Sequence, residues 1–372
     1  MGPTKLQRLQ INKMLCERAF YVSSLGSHNF SLGSLVFQFV IHWSVNNFAN
    51  TRECTEQLQA LATLTSDEII RYFADFTAGF FSYTSGEHVP AREYFERALK
   101  LSNNTRRVLI KDPIAAVGFV NCTGFLGHSL WMLGYPDQAR KQHARMLDLL
   151  GEPIDAFARG AGITNELFMF DFMRDNRPML EAGERLVTLA RESGSTYFLG
   201  GGMIWLGRAR AVEGAFNRGM EAIAEGREIL IGLGELATLD MNEHNAATAY
   251  LEAGRTDEGL AIVEGTIEKC VAGGVRIYEA DLHRLKGEFL LAAGAQMTDA
   301  EDSFRKAITI AQRQQAKSWE LRATLSLTRL LMKQNRRDEA RRTLTDIYNW
   351  FTEGFDTADL KDAKALVEEL GG

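Results

Sequence analysis

The side chains best suited to metal ligation, nucleophilic attack or proton transfer are seven histidines and four cysteines, and their spacing assembles none of those chemistries. Cys16, Cys54, Cys122 and Cys270 stand far apart, with no CxxC pair from which a zinc ribbon or a redox couple could be built. They read as reduced and mostly buried thiols. His88, His128, His143, His244 and His283 fall in different segments. His283 follows Glu279 by four residues, which suits a local hydrogen bond better than a catalytic dyad, and Arg284 with Glu288 reads as an ordinary surface ion pair. The helical zinc motif HExxH and the hydrolase elbow GxSxG are missing, and no glycine is followed by lysine, so a GxxxxGK[ST] phosphate loop is missing too. Gly200-Gly201-Gly202 lacks both the GxGxxG pattern and a preceding strand; a loop opening the helix around Trp205 and Gly207 is expected there instead. No catalytic, cofactor-binding or metal-ligating residue is assigned, and the chain is expected not to be an enzyme.

Composition narrows the class further. Of 372 residues, 45% are hydrophobic and 24% charged, enough to bury a sizeable core, and six prolines are few enough to allow long uninterrupted helices. A net charge of −6 argues against a nucleic-acid partner. Lys5 and Arg8 are not followed by a clean apolar core and cleavage site, so a cytoplasmic location is expected. From Arg18 to Arg52 no charged residue intervenes, and Phe30 to Val45 is rich in Leu, Val, Phe and Ile. Gln38, His42, Ser44, Asn46 and Asn47 interrupt that stretch, so a buried helix explains it better than a membrane span.

The elements that carry these residues repeat. A glycine is followed seven residues later by a second glycine and five residues after that by a small residue: Gly79, Gly86, Ala91; Gly127, Gly134, Ala139; Gly207, Gly214, Gly219. Ala247, Gly254 and Gly259 follow, then Gly287, Gly294 and Ala300 with one extra residue in the turn, then a weaker Thr328, Asn335, Ala340. Two antiparallel helices joined by a tight turn account for the spacing. The first and third positions lie where the helices cross and large side chains would push them apart; the middle one ends the first helix with a positive φ. Using the small residue of the second helix as a ruler gives Thr55, Ala91, Ala139, Leu180, Gly219, Gly259, Ala300 and Ala340, at steps of 36, 48, 41, 39, 40, 41 and 40 residues. The copies at Thr55 and Leu180 are inferred mainly from phase. Such amphipathic pairs bury their apolar faces by stacking. The pattern resembles the tetratricopeptide repeat. It predicts an all-α, right-handed solenoid of about eight helix pairs over residues 30–351, preceded by a truncated N-terminal half-repeat at 1–29 and closed by a C-terminal capping helix at 352–372 that opens on Asp356 or Thr357. Trp43, Trp131, Trp205, Trp319 and Trp350 sit in apolar helix settings, where core packing explains most of them better than partner anchoring.

A narrower resemblance rests on Leu133-Gly134-Tyr135-Pro136-Asp137-Gln138-Ala139, Asp281-Leu282-His283-Arg284-Leu285-Lys286-Gly287-Glu288, Glu320-Leu321-Arg322 and Trp350-Phe351-Thr352-Glu353-Gly354-Phe355-Asp356-Thr357. In these segments the chain is similar to the C-terminal tetratricopeptide region of bacterial multidomain signalling proteins, in which a class III adenylate or guanylate cyclase or a transcriptional regulator is fused to a P-loop ATPase. The resemblance implies a non-catalytic interaction or regulatory module, the sensor arm of such a protein. Its partner would be another protein or a covalently missing N-terminal signalling domain, with no membrane and no cofactor. A detached or truncated part of a cyclase or ATPase protein, or a small-ligand-sensing solenoid, are the alternatives.

Overall fold

The computed structural model describes residues 30–101 and 103–371; the expected half-repeat at 1–29 lies outside them. Eighteen helices are found among the described residues: α1 (Phe30–Ser44), α2 (Phe48–Thr63), α3 (Glu68–Thr84), α4 (His88–Ala98), α5 (Asn103–Lys111), α6 (Pro113–Met132), α7 (Pro136–Leu150), α8 (Ala156–Met173), α9 (Asn176–Ser193), α10 (Thr196–Val212), α11 (Phe216–Leu233), α12 (Leu236–Glu252), α13 (Thr256–Val271), α14 (Glu279–Ala292), α15 (Met297–Arg313), α16 (Lys317–Lys333), α17 (Arg337–Tyr348) and α18 (Ala358–Gly371). They form eight antiparallel pairs, from α1–α2 and α3–α4 to α16–α17, with α5 inserted after the second pair and α18 after the last.

Each pair turns on one residue with positive φ: Asn46, Gly86, Gly134, Arg174, Gly214, Gly254, Gly294 and Asn335. Their spacing is 40 residues throughout, except for 48 across the α5 insertion and 41 at the last step. The backbone reason is the helix stop itself. At Gly214, for example, the Ala215 N–H reaches back to the Arg210 carbonyl, closing the left-handed cap. Helix starts are set by Asn47, Asp67, Asp155 and Ser195, whose side chains accept from first-turn amides; Asp155 takes those of Phe157 and Ala158 at 2.7 and 2.9 Å.

The outer helices are amphipathic. In α15, Ala300, Phe304, Ala307 and Ile310 face inward while Asp302, Arg305 and Lys306 stay on the open side. The first helices of successive pairs pack against one another, and each second helix packs against first helices, so the first helices line the inside of the curve. Contacts between α1 and α12 and between α6 and α16 bring each pair over the one five positions later, so the superhelix closes on itself after about five pairs.

One local expectation changes. Gly200-Gly201-Gly202 is inside α10, not in a loop. Gly200 faces Ile229 and Leu230 of α11, Gly202 faces Leu186 and Val187 of α9, and a Cβ on Gly201 would meet nothing within 4 Å. Small residues are needed there because α10 is wedged between two outer helices. The stretch from Phe30 is the first helix of pair one, and among the described residues no single helix is long and apolar enough to cross a membrane. Trp43, Trp131, Trp205 and Trp319 are buried and Trp350 is partly exposed, in line with core packing for most tryptophans.

Candidate functional site: the inner face and its seam

Where the helices of a pair cross, the first repeat position lies against the second helix. A Cβ on Gly79 would lie 2.7 Å from the Phe95 ring, on Gly207 2.5 Å from the Gly219 carbonyl oxygen, on Gly287 against the Phe304 ring, and on Gly127 3.4 Å from the Ala139 carbonyl. Gly86, Gly134, Gly214, Gly254 and Gly294 occupy the left-handed turns. Ala91, Ala139, Gly219, Gly259, Ala300 and Ala340 are buried on the facing helices. In pairs one and four the residue five places after the turn is Thr51 and Met179, both buried, rather than the Thr55 and Leu180 that the phase suggested. Asn46 and Arg174 hide those two turns, because neither is the glycine that marks five of the other six.

Counting back from each turn residue locates the inner face: positions thirteen, nine and six before it lie on one stripe, as Asn121, Phe125 and His128 do in α6 or Gly201, Trp205 and Arg208 in α10. The sixth of one pair meets the ninth of the next. Phe80 packs on Phe125 (ring centroids 5.1 Å), His128 Nε2 lies 3.1 Å from the Asn165 carbonyl, and Phe168 packs on Trp205 at 5.0 Å. Arg208 donates to Asn245 Oδ1 at 3.0 Å, and Ser326 donates to Glu288 at 2.6 Å. Because a carbonyl only accepts, His128 carries its proton on Nε2, and Nδ1 accepts from the Tyr83 hydroxyl at 3.2 Å. Burial holds His128 down to about 3, so the ring is neutral.

Deeper in, the two superhelical turns share one filled centre. Phe172 of the first turn packs edge-on to Trp319 of the second, and Tyr278 stacks on His244 at 4.2 Å. Charges run through the same region. Arg208 Nη1 is 2.5 Å from Asp171 Oδ1; the approach is misaligned for a hydrogen bond, so this is an ion pair by distance only. His244 Nε2 is 2.5 Å from Asp281 Oδ2, and Arg284 Nε donates to Asp281 at 2.5 Å. Burial pushes the Asp281 carboxyl up, but Arg284 and His244 outweigh it and hold it well below the usual carboxylate range. Burial also works against the Arg322 charge, yet Asp359 and Asp281 keep that guanidinium above its ordinary range. Arg284 is thus an interior partner of Asp281; its expected pair with Glu288 is also present, at 3.7 Å, but with Arg284 turned inward rather than on the surface. Glu279 accepts from Arg313 at 3.0 Å and not from His283, whose ring burial holds down to about 4. The His244–Asp281 dyad is 2% and 1% exposed, so it joins helices and meets no solvent-borne reactant. Among the described residues no group of three or more His, Cys, Asp or Glu could hold a metal ion.

The inner face stays partly open in the first turn. Phe80, Asn121, Phe157, Tyr197 and Gly201 are half-buried there, with Phe157 stacked on Tyr197 and Asn121 Oδ1 accepting from Asn165 at 2.9 Å. These apolar and amide groups are the half-buried part, or mouth, of that face.

A seam joins the two turns. The Arg276 N–H donates to the Thr84 carbonyl at 2.7 Å, and the Ser318 hydroxyl donates to that of Trp131 at 2.5 Å. Asn46 donates to Asp240 at 2.6 Å, Arg322 donates to the Phe172 carbonyl at 3.0 Å, and Arg174 bridges Asp359 and Asp362 of α18. Glu353 accepts the backbone N–H groups of Asp137 and Gln138 at 3.0 and 3.1 Å, and Arg140 pairs with Asp356 at 2.8 Å. Asp356, one of the two residues expected to open α18, is therefore engaged across the seam, while α18 begins at Ala358, directly after the other, Thr357. None of these partnerships has a local sequence signature.

Comparison with known proteins agrees with this architecture. The fold is a tetratricopeptide-like solenoid. The tetratricopeptide-repeat family matches residues 321–344, in α16 and α17. An uncharacterized protein of Rhizobium meliloti (strain 1021) is 23% identical over 249 residues, 67% of this chain and 24% of that protein, so the likeness spans about a quarter of its length. Among solved structures, a Rap protein complexed with Competence and Sporulation Factor is similar at a TM-score of 0.57 and 10% identity, covering 99% of this chain and 100% of that one. NprR in complex with its cognate peptide NprX is similar at a TM-score of 0.50 and 10% identity, covering 80% and 81%. At such identities the likeness is one of fold.

Proposed function

We propose that this chain is a non-catalytic protein-interaction module that takes a peptide or protein segment at the inner-face mouth, and that it serves as the cytoplasmic sensor arm of a bacterial signalling protein. The observation carrying this reading is the half-buried set Phe80, Asn121, Phe157, Tyr197 and Gly201, which pairs aromatic surface with an amide able to meet a peptide backbone. Gly201 leaves room: a Cβ there would touch nothing within 4 Å. Two solved proteins of similar fold are complexed with a factor or a cognate peptide, which supports the class of partner. The Rhizobium relative extends far beyond the matched stretch, which supports an arm of a larger protein. In this reading residues 30–351 are the binding solenoid, 352–372 its cap, and the repeat-defining glycines and alanines set the curvature that shapes the mouth.

Affinity capture with crosslinking tests it, comparing the wild-type chain with Gly201→Leu, which fills the mouth without disturbing packing. A defined partner should be recovered by the wild type and lost by the variant. Equal recovery by both, or blanks throughout, would sink the proposal. Purified chain should also neither bind ATP nor form a cyclic nucleotide.

A further inference from the structure

The two segments Leu133–Ala139 and Trp350–Thr357, 216 residues apart when counted from Asp137 to Glu353, are docked on each other. Glu353 supplies what α7 lacks locally: its N-cap residue, Tyr135, makes no side-chain capping bond, and the Glu353 carboxylate takes two of the free amides instead. The fit is specific. Gly354, at φ +73°, lies against Pro136, where a Cβ would clash; its N–H donates to Asp137 Oδ2 at 3.3 Å; and Trp350 packs on Tyr135 at 5.9 Å.

We propose that Glu353 and Asp356 form the latch of a closed superhelix, and that releasing them parts the two turns and opens the inner face. The regulatory part of this inference rests on the reading that a partner binds that face. Three observations carry it. The latch is polar and half-solvated, with Arg140 and Asp356 side chains 34% and 68% exposed, so salt and competing ligands reach it. Packing beside it is incomplete: a cleft of about 480 Å³ is lined by Arg92, Leu133, Tyr135, Gln315, Lys317 and Trp350. Closure also has a cost at the centre. Asp171 Oδ2, His244 Nδ1, Asn245 Nδ2 and Tyr278 OH are all buried without a hydrogen-bond partner in the protein. Separating the turns hydrates these atoms while exposing Phe172 and Trp319, so the closed state is poised between opposing terms.

The test compares the full chain with a Glu353→Ala, Asp356→Ala double variant. Readouts are amide exchange at Asp137 and Gln138, radius of gyration by small-angle scattering, and fluorescence of the apolar dye ANS. With helical circular dichroism unchanged, the latch predicts faster exchange at both amides, a larger radius, and ANS emission raised about twofold or more. Raising salt from about 0.05 to about 0.5 M should move the wild type the same way. Faster exchange with unchanged radius and dye emission would reduce Glu353 to a helix cap and overturn the proposal. Should the double variant not fold, Arg140→Gln in the same salt series decides: radius and dye emission equal to wild type at every salt concentration overturn it. None of these readouts uses a partner, so the peptide-binding reading fails or stands separately on Gly201→Leu.

Discussion

Gly207 and Gly219 face each other across α10 and α11 so closely that a Cβ on Gly207 would sit 2.5 Å from the Gly219 carbonyl oxygen, and one on Gly219 2.6 Å from that of Gly207. Backbone cannot retreat as a flexible side chain can. Gly207→Ala is therefore expected to destabilise the chain by about 1–3 kcal/mol through overpacking. Gly265, inside α13 with nothing within 4 Å of its added Cβ, is the contrasting case: Gly265→Ala should stabilise by about 0.5–1 kcal/mol. Gly254 has equally open space but φ +67°, so Gly254→Ala should lose about 1–2 kcal/mol to backbone strain alone. Urea midpoints at constant m-value rank the three. The same sign for Gly265→Ala and Gly254→Ala would contradict the account.

Arg208 Nη1 lies 2.5 Å from Oδ1 of the Asp171 carboxyl, whose side chain is 0% exposed. Arg208→Met should cost about 3–5 kcal/mol, because the carboxylate is left buried and unpaired. Adding Asp171→Leu should restore most of that loss, since an apolar pair no longer carries a stranded charge. A denaturation double-mutant cycle reads the coupling. Additive losses would mean that the two residues act independently.

His88 is fully buried, both ring nitrogens lack a hydrogen-bond partner, and burial holds it down to about 3. The unfolded ring, near its ordinary 6.5, binds a proton that the folded one refuses, so the unfolded state is the more protonated between those values. Stability must then fall as pH drops from about 6.5 toward 3, by about 2 kcal/mol for this group at pH 5. His88→Phe, packing beside Tyr83, should remove that share of the slope. Urea midpoints at about pH 7 and pH 5 check it, and identical slopes for variant and wild type would rule it out.

How much was legible follows from how local each cause is. Gly86, Gly134, Gly214, Gly254 and Gly294 announce their turns because a left-handed residue favours glycine within one helix end. Arg174 adopts φ 59° without that signal and is tied instead to Asp359 and Asp362, 185 and 188 residues away, so its repeat was placed one residue out of phase. Inner helices carry the weakest sequence pattern. In α10, Ile204, Trp205 and Leu206 are buried on three different sides, which leaves no amphipathic stripe to separate the inner face from the packing faces.

The sequence by itself determined the helix pairs, their period near 40 residues and the small residues at the crossings of the glycine-marked pairs, because helix stops and close approaches act over a single pair. Only the tertiary structure decided which side chains line the interior, that Arg284 turns inward to Asp281, and that Glu353 caps α7. Small rotations between neighbouring pairs, summed over five of them, set which residues meet across the superhelix, and no local pattern records that sum.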